Sequence, residues 1–227
     1  MKVSGTVPGV KRALTIGNSD GIGLAMTRRL LDEGWAVTGV SRSDSGLSHE
    51  HYLHRTVDVT AADYPAALAG DWDLVVYAAG VGELLDLADL PAQTMALQVN
   101  LIGAARTVEA VVPGMVAAGR GHFIGLSSLA DIAISADAPG YTASKAGLST
   151  YLFGLGKALR RRGVAVTVVR FGFVDTKMAK GPSKPLMIPV AEAVEVLMRC
   201  VARRPAVMSY PRRVSVAARL LRAFTRP

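Results

Sequence analysis

Cysteine is almost absent: a single residue, Cys200, stands in a chain of 227. A lone thiol forms no internal disulfide, and its neighbours Val194, Leu197, Met198 and Val201 pattern as a packed helix face. A buried thiol in a reducing compartment follows, rather than a nucleophile. The opening MKVSGTVPGVKR is too polar and too rich in Gly and Pro for a signal peptide. No apolar run looks long enough to cross a bilayer, so a soluble, cytoplasmic protein is expected. Aromatic residues make up only 6% of the chain, and no basic stretch interleaves them as RNA-binding sheets do. The formal charge of +8 therefore does not point to nucleic acid. Acidic residues are missing from the last segment, where Arg203, Arg204, Arg212, Arg213, Arg219, Arg222 and Arg226 accumulate. Nucleotide phosphate and anionic surfaces suit that distribution better. Repeats, low-complexity tracts and linkers are lacking too, which makes 1–227 one domain, and no metal is expected.

What is present is ample apolar content, half of the chain, arranged as alternating strand and helix patterns. Strands are predicted over 12–17, 35–40, 52–59, 73–78, 121–127, 164–170 and 206–209. Helices are predicted over 21–33, 61–69, 93–118, 140–162 and 190–203. Leu74-Val75-Val76-Tyr77 and the run from Val164 to Val169 are almost continuously apolar, the mark of parallel strands covered on both faces. Right-handed βαβ crossovers and an α/β, doubly wound parallel sheet follow. The stretch 171–189 breaks this rhythm with Gly172, Gly181, Pro182, Pro185 and Pro189. It is expected to be a loop leaving the carboxyl end of a central strand, where such folds place a substrate lid.

Between the first strand and first helix lies Gly17-Asn18-Ser19-Asp20-Gly21-Ile22-Gly23. Gly17 can make a sharp exit from the strand, and Gly21 and Gly23 remove side chains where a dinucleotide pyrophosphate would approach the helix N-terminus. Gly17, Ser19, Asp20, Gly21, Ile22 and Gly23 are thus candidate cofactor contacts. The second strand ends in Val40-Ser41-Arg42 without the carboxylate that NAD sites use for the ribose hydroxyls. A hydroxyl and a guanidinium match a 2′-phosphate instead, which favours NADP(H) and leaves NAD(H) possible. Asp20 opposes that preference unless it caps the helix. Asp58, with Val59 after it, is placed to meet the adenine; a turn residue is the plainer alternative.

Tyr141 and Lys145 are four residues apart in Tyr-Thr-Ala-Ser-Lys and share a helix face. Ser128 precedes Tyr141 by 13 residues (141 − 128), and Asn100 lies inside the long third helix pattern. Carbonyl reduction needs a proton at oxygen as hydride reaches carbon. A phenol lowered by a nearby ammonium suits that duty, a hydroxyl can steady the developing charge, and an amide could hold a water near the lysine. Taken singly, the four could be a surface aromatic, a solvated charge, a helix cap and a local helix distortion.

In this order, on this pattern, the chain resembles the classical short-chain dehydrogenase/reductase family, in its ketoreductase-like form, from about Arg12 to Tyr210. GNSDGIG (17–23), VNLIG (99–103) and Ser128 with YTASK (141–145) bear the resemblance. It implies a single Rossmann-type sheet of seven strands in the order 3-2-1-4-5-6-7 and a catalytic set of Asn100, Ser128, Tyr141 and Lys145. It also implies cofactor contacts from Ala79, Gly80, Val174 and Thr176 beside the loop residues, Tyr141 and Lys145, and a homodimer or homotetramer built on the two long helices. The family's usual Asn-Ala-Gly after the fourth strand is Ala78-Ala79-Gly80 here, and its usual Pro-Gly after the sixth is Phe171-Gly172.

The expected activity is NADP(H)-dependent reduction of a small to medium, hydrophobic ketone, or oxidation of the matching alcohol. Substrate contacts are expected from Ser128, Leu129, Ile134, Tyr141 and Phe173. An NAD-preferring dehydrogenase, an epimerase or dehydratase, and a dinucleotide-binding regulator without catalysis are the rivals. The final segment, 212–226, patterns as a basic amphipathic helix, suited either to closing off its own domain or to peripheral docking on a membrane or neighbour.

Overall fold

The computed structural model describes residues 9–179 and 186–211. The 212–226 helix pattern and the middle of the 171–189 loop lie outside them. Seven strands form one sheet: β1 Arg12–Ile16, β2 Ala36–Ser41, β3 Tyr52–Thr56, β4 Leu74–Tyr77, β5 Gly121–Ser128, β6 Val164–Phe171 and β7 Val207–Tyr210. Every pairing is parallel, and the order is β3-β2-β1-β4-β5-β6-β7. β4 and β5 are buried at every position; β4 is continuously apolar, and β5 is apolar or small except at His122.

Helices cover both faces. α1 (Gly21–Asp32) and α5 (Val190–Arg203) bury Met26, Leu30, Val196, Leu197 and Cys200 on one side. Burial pushes the Cys200 thiol up to about 11, consistent with an inert core residue. On the other side, α3 (Gly103–Ala117) and α4 (Pro139–Leu159) bury Val108, Val111, Met115, Leu148 and Leu152. The order reverses between β1 and β4, which opens a crevice at the carboxyl ends of the strands.

Three expectations change. The helix foreseen over 61–69 shrinks to one 3-10 turn, Ala66–Leu68. Pro65 lacks the N–H that a helix would use and restricts Tyr64 before it, while the Tyr64 ring drops into the core and shares a 2.6 Å hydrogen bond with Thr107. The helix foreseen over 93–118 begins earlier, at α2 (Pro91–Leu97), and passes through a π-turn at Gln98–Ile102 before α3. As a whole, Pro91–Ala117 is long and apolar enough to cross a membrane, against the sequence expectation. Half of its most apolar 18-residue stretch is buried inside the protein, as in a core helix.

His122 on β5 is 2% exposed. The Thr167 hydroxyl donates to the Pro205 carbonyl at 2.5 Å, so its 2.8 Å contact with His122 is accepted from Nε2–H. Burial, with the Arg204 charge adding to it, lowers this imidazole to about 4. An unfolded chain takes up that proton near pH 6.5, so between pH 6.5 and 4 the unfolded state binds more protons and stability falls as pH falls. Across that window the protein should lose about 3 kcal/mol more than His122→Gln, measured by denaturant titration at stepped pH.

Candidate active site

The glycine segment forms a cradle at the crevice. Gly17 leaves β1 with φ +81, and its N–H donates to Val40 at 2.7 Å. A Cβ there would lie 2.5 Å from the Ala79 nitrogen, and one at Gly23 would lie 2.1 Å from the Gly17 carbonyl oxygen. Only bare glycines let β1, the start of α1 and the loop after β4 come this close. A dinucleotide pyrophosphate fits such a surface of exposed backbone at a helix N-terminus. Asp20 accepts from the Gly21 N–H at 2.7 Å, so it does cap α1. Its other oxygen meets Lys177 of the 171–189 loop at 2.8 Å, and the lysine and that N–H together hold its carboxyl below the usual range.

That loop is pinned at its neck. Val174 bridges Ile188, and Asp175 and Ile188 exchange backbone bonds with Ile188 and Phe173. Thr176 lies over Gly21, whose Cβ would meet the threonine methyl at 3.2 Å. The loop therefore spans from β6 to the glycine cradle.

Asn100 is fully buried in the π-turn. Its Oδ1 accepts from the Val81 N–H at 2.8 Å, and its Nδ2 donates to the Val81 carbonyl at 2.8 Å and to Ser144 Oγ at 2.9 Å. Both amide hydrogens are thus committed to bracing the β4 loop and α4, rather than to holding a water for Lys145. Lys145, also buried, donates to the Leu126 carbonyl at 2.8 Å, and its Nζ is 5.8 Å from the centre of the Tyr141 ring. Burial lowers it to about 8. Ser128 ends β5, caps the 3-10 turn Leu129–Ile132 through the Ala130 N–H, and bears on the Tyr141 phenol. The loop after β4 lies against Tyr141, since a Cβ at Gly82 would be 2.7 Å from its ring.

The sequence expectation that Lys145 depresses the Tyr141 phenol is not met. Burial raises Tyr141 above the usual phenol range, the Ser128 hydrogen bond lowers it in part, and the Asp131 charge raises it further. The ammonium faces the Leu126 carbonyl instead.

Other foreseen contacts divide. Arg42 is exposed and stands 3.9 Å from Asp58. Asp58 is pulled up by burial but more than offset by the Thr60 N–H and hydroxyl and by Arg42, so it is both turn residue and neighbour of Arg42. Ser41 is 6% exposed and turned inward, its hydroxyl shared between the Ser43 carbonyl at 2.8 Å and Asn18 at 3.3 Å, so it does not present itself to a phosphate. Val59 is a core residue packed against Gly103, with its carbonyl taken by Arg106. Ala79 and Gly80 border the crevice, and a Cβ at Gly80 would meet Asn100, Lys145 and Met178 within 3.5 Å. Leu129 is buried near Gly172, Phe173 is half-exposed, and Ile134 is 82% exposed and walls nothing closed.

Sequence reasoning missed Asn18. It is fully buried and donates to the Tyr52 hydroxyl at 2.6 Å, tying the glycine segment to β3. A polar residue between two glycines of the loop was the available signal.

The short chain dehydrogenase family model matches residues 11–185. The chain belongs to that family. This short-chain dehydrogenase is 32% identical to an uncharacterized oxidoreductase of Myxococcus xanthus, with 96% of this chain and 94% of that protein covered. Its fold is shared with a short-chain dehydrogenase of Streptomyces avermitilis at a TM-score of 0.83, with 20% identity and 95% and 94% of the two chains covered. A short chain dehydrogenase of Burkholderia cenocepacia, solved in complex with NADP, matches at 0.80 with 26% identity over 88% and 87%. The dehydrogenase is thus an NAD(P)-dependent oxidoreductase acting on CH–OH or C=O groups.

Asn100 gives the sharpest test of how the site is held. Asn100→Asp keeps the acceptor for Val81 but sets a carboxylate against the Val81 carbonyl and strips two donors. Leaving buried partners unsatisfied costs about 1–3 kcal/mol each. The variant should unfold at clearly lower denaturant concentration and lose cofactor affinity, read by denaturation and by fluorescence of added NADPH.

Proposed function

We propose that this dehydrogenase is an NADP(H)-dependent carbonyl reductase acting on a small to medium, hydrophobic ketone, with the reverse alcohol oxidation as its counterpart. The convergence of Ser128, Tyr141 and Lys145 beside the glycine cradle carries the reading. When bound, the dinucleotide supplies the hydride. Tyr141 gives its proton to the substrate oxygen, Ser128 hydrogen-bonds that same oxygen, and Lys145 favours recovery of the phenol's proton. Asn100 holds the β4 loop and α4 in register around them.

Exposed apolar side chains support the substrate class. Leu84, Leu87, Ile134, Phe173 and Leu186 all stand on loops leaving the carboxyl ends of β4, β5 and β6. A hydrophobic substrate would cover such a rim. NADP(H) is supported by exposed Arg42 with no carboxylate ending β2, by the NADP complex of the Burkholderia relative, and by Asp20 being engaged with Gly21 and Lys177.

A panel of ketones followed by NADPH absorbance tests the reading, and no oxidation above background with any of them refutes it. Tyr141→Phe keeps the ring and removes the acid, so turnover should fall by about 10²–10⁴-fold while NADPH still binds. Arg42→Ala should weaken NADPH by roughly 10–100-fold and leave NADH nearly unchanged, because a charge-assisted hydrogen bond contributes about 1.5–3 kcal/mol. Equal losses for both cofactors in a binding titration would show that Arg42 does not recognise the 2′-phosphate.

A further inference from the structure

A small ketone covers only part of the apolar rim at the carboxyl edge of the sheet. Leu84 and Leu87 on the loop after β4 are 73% and 80% exposed, and Ile134 after β5 is 82% exposed. The two loops form one surface. The Leu85 N–H donates to the Asp137 carbonyl at 2.7 Å, and the Gln93 amide links the Leu84 carbonyl to the Gly140 N–H. Asp86, Asp89 and Asp137 are exposed on the same loops. No Lys or Arg occurs over 78–105 or 129–144, so this rim is apolar with negative charge around it. Exposed apolar patches bordered by polar groups mark places where another surface rests.

The chain itself supplies a segment of matching character, and that segment starts at the site. Pro211, the last described residue, lies beside Gly172 after β6: a Cβ at Gly172 would be 3.5 Å from the proline ring and 3.7 Å from Leu129. β7 runs parallel to β4, β5 and β6, so its end at Tyr210 opens on the same edge of the sheet. From β7 to β4 is three strand spacings, about 14 Å. Residues 212–226, as the helix their pattern predicts, would measure about 22 Å, enough to reach the β4 loop. Val214, Ala217, Leu221 and Phe224 recur at three- and four-residue steps as one apolar stripe. Arg213 borders that stripe and Arg212, Arg219, Arg222 and Arg226 lie beyond it, and no Asp or Glu follows Glu195.

We propose that segment 212–226 is the occupant of this rim: its apolar stripe rests on Leu84, Leu87 and Ile134, and its arginines face the Asp86, Asp89 and Asp137 carboxylates. Docking removes apolar surface from water on both partners at once. The cations are drawn to a rim whose two loops contain no Lys or Arg to oppose them. An anionic lipid surface attracts the same arginines, but the carboxylates of the rim repel it, and the segment would have to turn away from the edge where Pro211 sets it down. The docked segment roofs the crevice above the substrate. That consequence rests on the reading of Ser128 and Tyr141 given above; the docking itself does not.

Crosslinking in the full chain tests this. L84C, L87C and I134C replace well-exposed side chains and so spare the core, and each is combined with L221C on the stripe or with R219C on the opposite face. Cys200 is buried, with its thiol raised to about 11, and stays unmodified. A short bismaleimide should join L221C to at least one rim position within a single chain, read as a monomer-mass band whose bridged peptide is identified by mass spectrometry. R219C should give about tenfold less, since residues two apart on a helix do not face the same way. Equal capture from both faces, bridges only between two chains, or no bridge from any of the three rim positions overturns the proposal. Loss of the bridge as the protein sediments with phosphatidylglycerol vesicles at low salt also overturns it and assigns the segment to lipid. Neither cofactor nor ketone is present, so a failed ketone panel leaves this result untouched.

Discussion

The Asn100 amide holds together three segments that would otherwise be independent. Through Val81 it fixes the loop after β4, through Ser144 it fixes α4, and the π-turn that bears it joins α2 to α3. A regular α-helix would set the amide at a different angle to these partners; π-turns recur at functional sites because one extra residue per turn re-aims a side chain. Gly82 then lies against the Tyr141 ring with no room for a Cβ, and Gly80 lies in contact range of Asn100 and Lys145. The family's usual asparagine after β4 is absent here, and Asn100 braces that loop from the helix side, beside Gln93 and the Asp137 carbonyl.

Burial acts on the two titrating residues in opposite directions. It lowers Lys145 and raises Tyr141, because each is penalised for its charged form. The site is thus biased toward a neutral phenol, the form from which a proton can be given. The ammonium, committed to the Leu126 carbonyl, is held a short distance away rather than used to ionise the tyrosine.

The phosphate end is governed by close approach. Gly17 and Gly23 bring β1, α1 and the β4 loop into backbone contact, and the negative charge of Asp20 is met by the helix start and by Lys177. That ion pair also ties the 171–189 loop to the cradle. β6 runs to Phe171, which pairs with both Ser128 and Tyr210.

Much of this was legible in the sequence. Continuous apolar runs determined β4 and β6, the strand–helix alternation determined a parallel sheet, and the four-residue step determined that Tyr141 and Lys145 share a face. These are local properties, set by periodicity and by what each residue type can bury. Tertiary structure decided the rest. Ser41 turned inward because Asn18 and Ser43 offered partners from outside β2, and Val59 became core because Gly103 left space for it. Burial pushes the Tyr141 phenol up, and Asp131 meets Arg170, 39 residues further along the chain (170 − 131). Field and desolvation depend on distance through space, and only folding sets those distances.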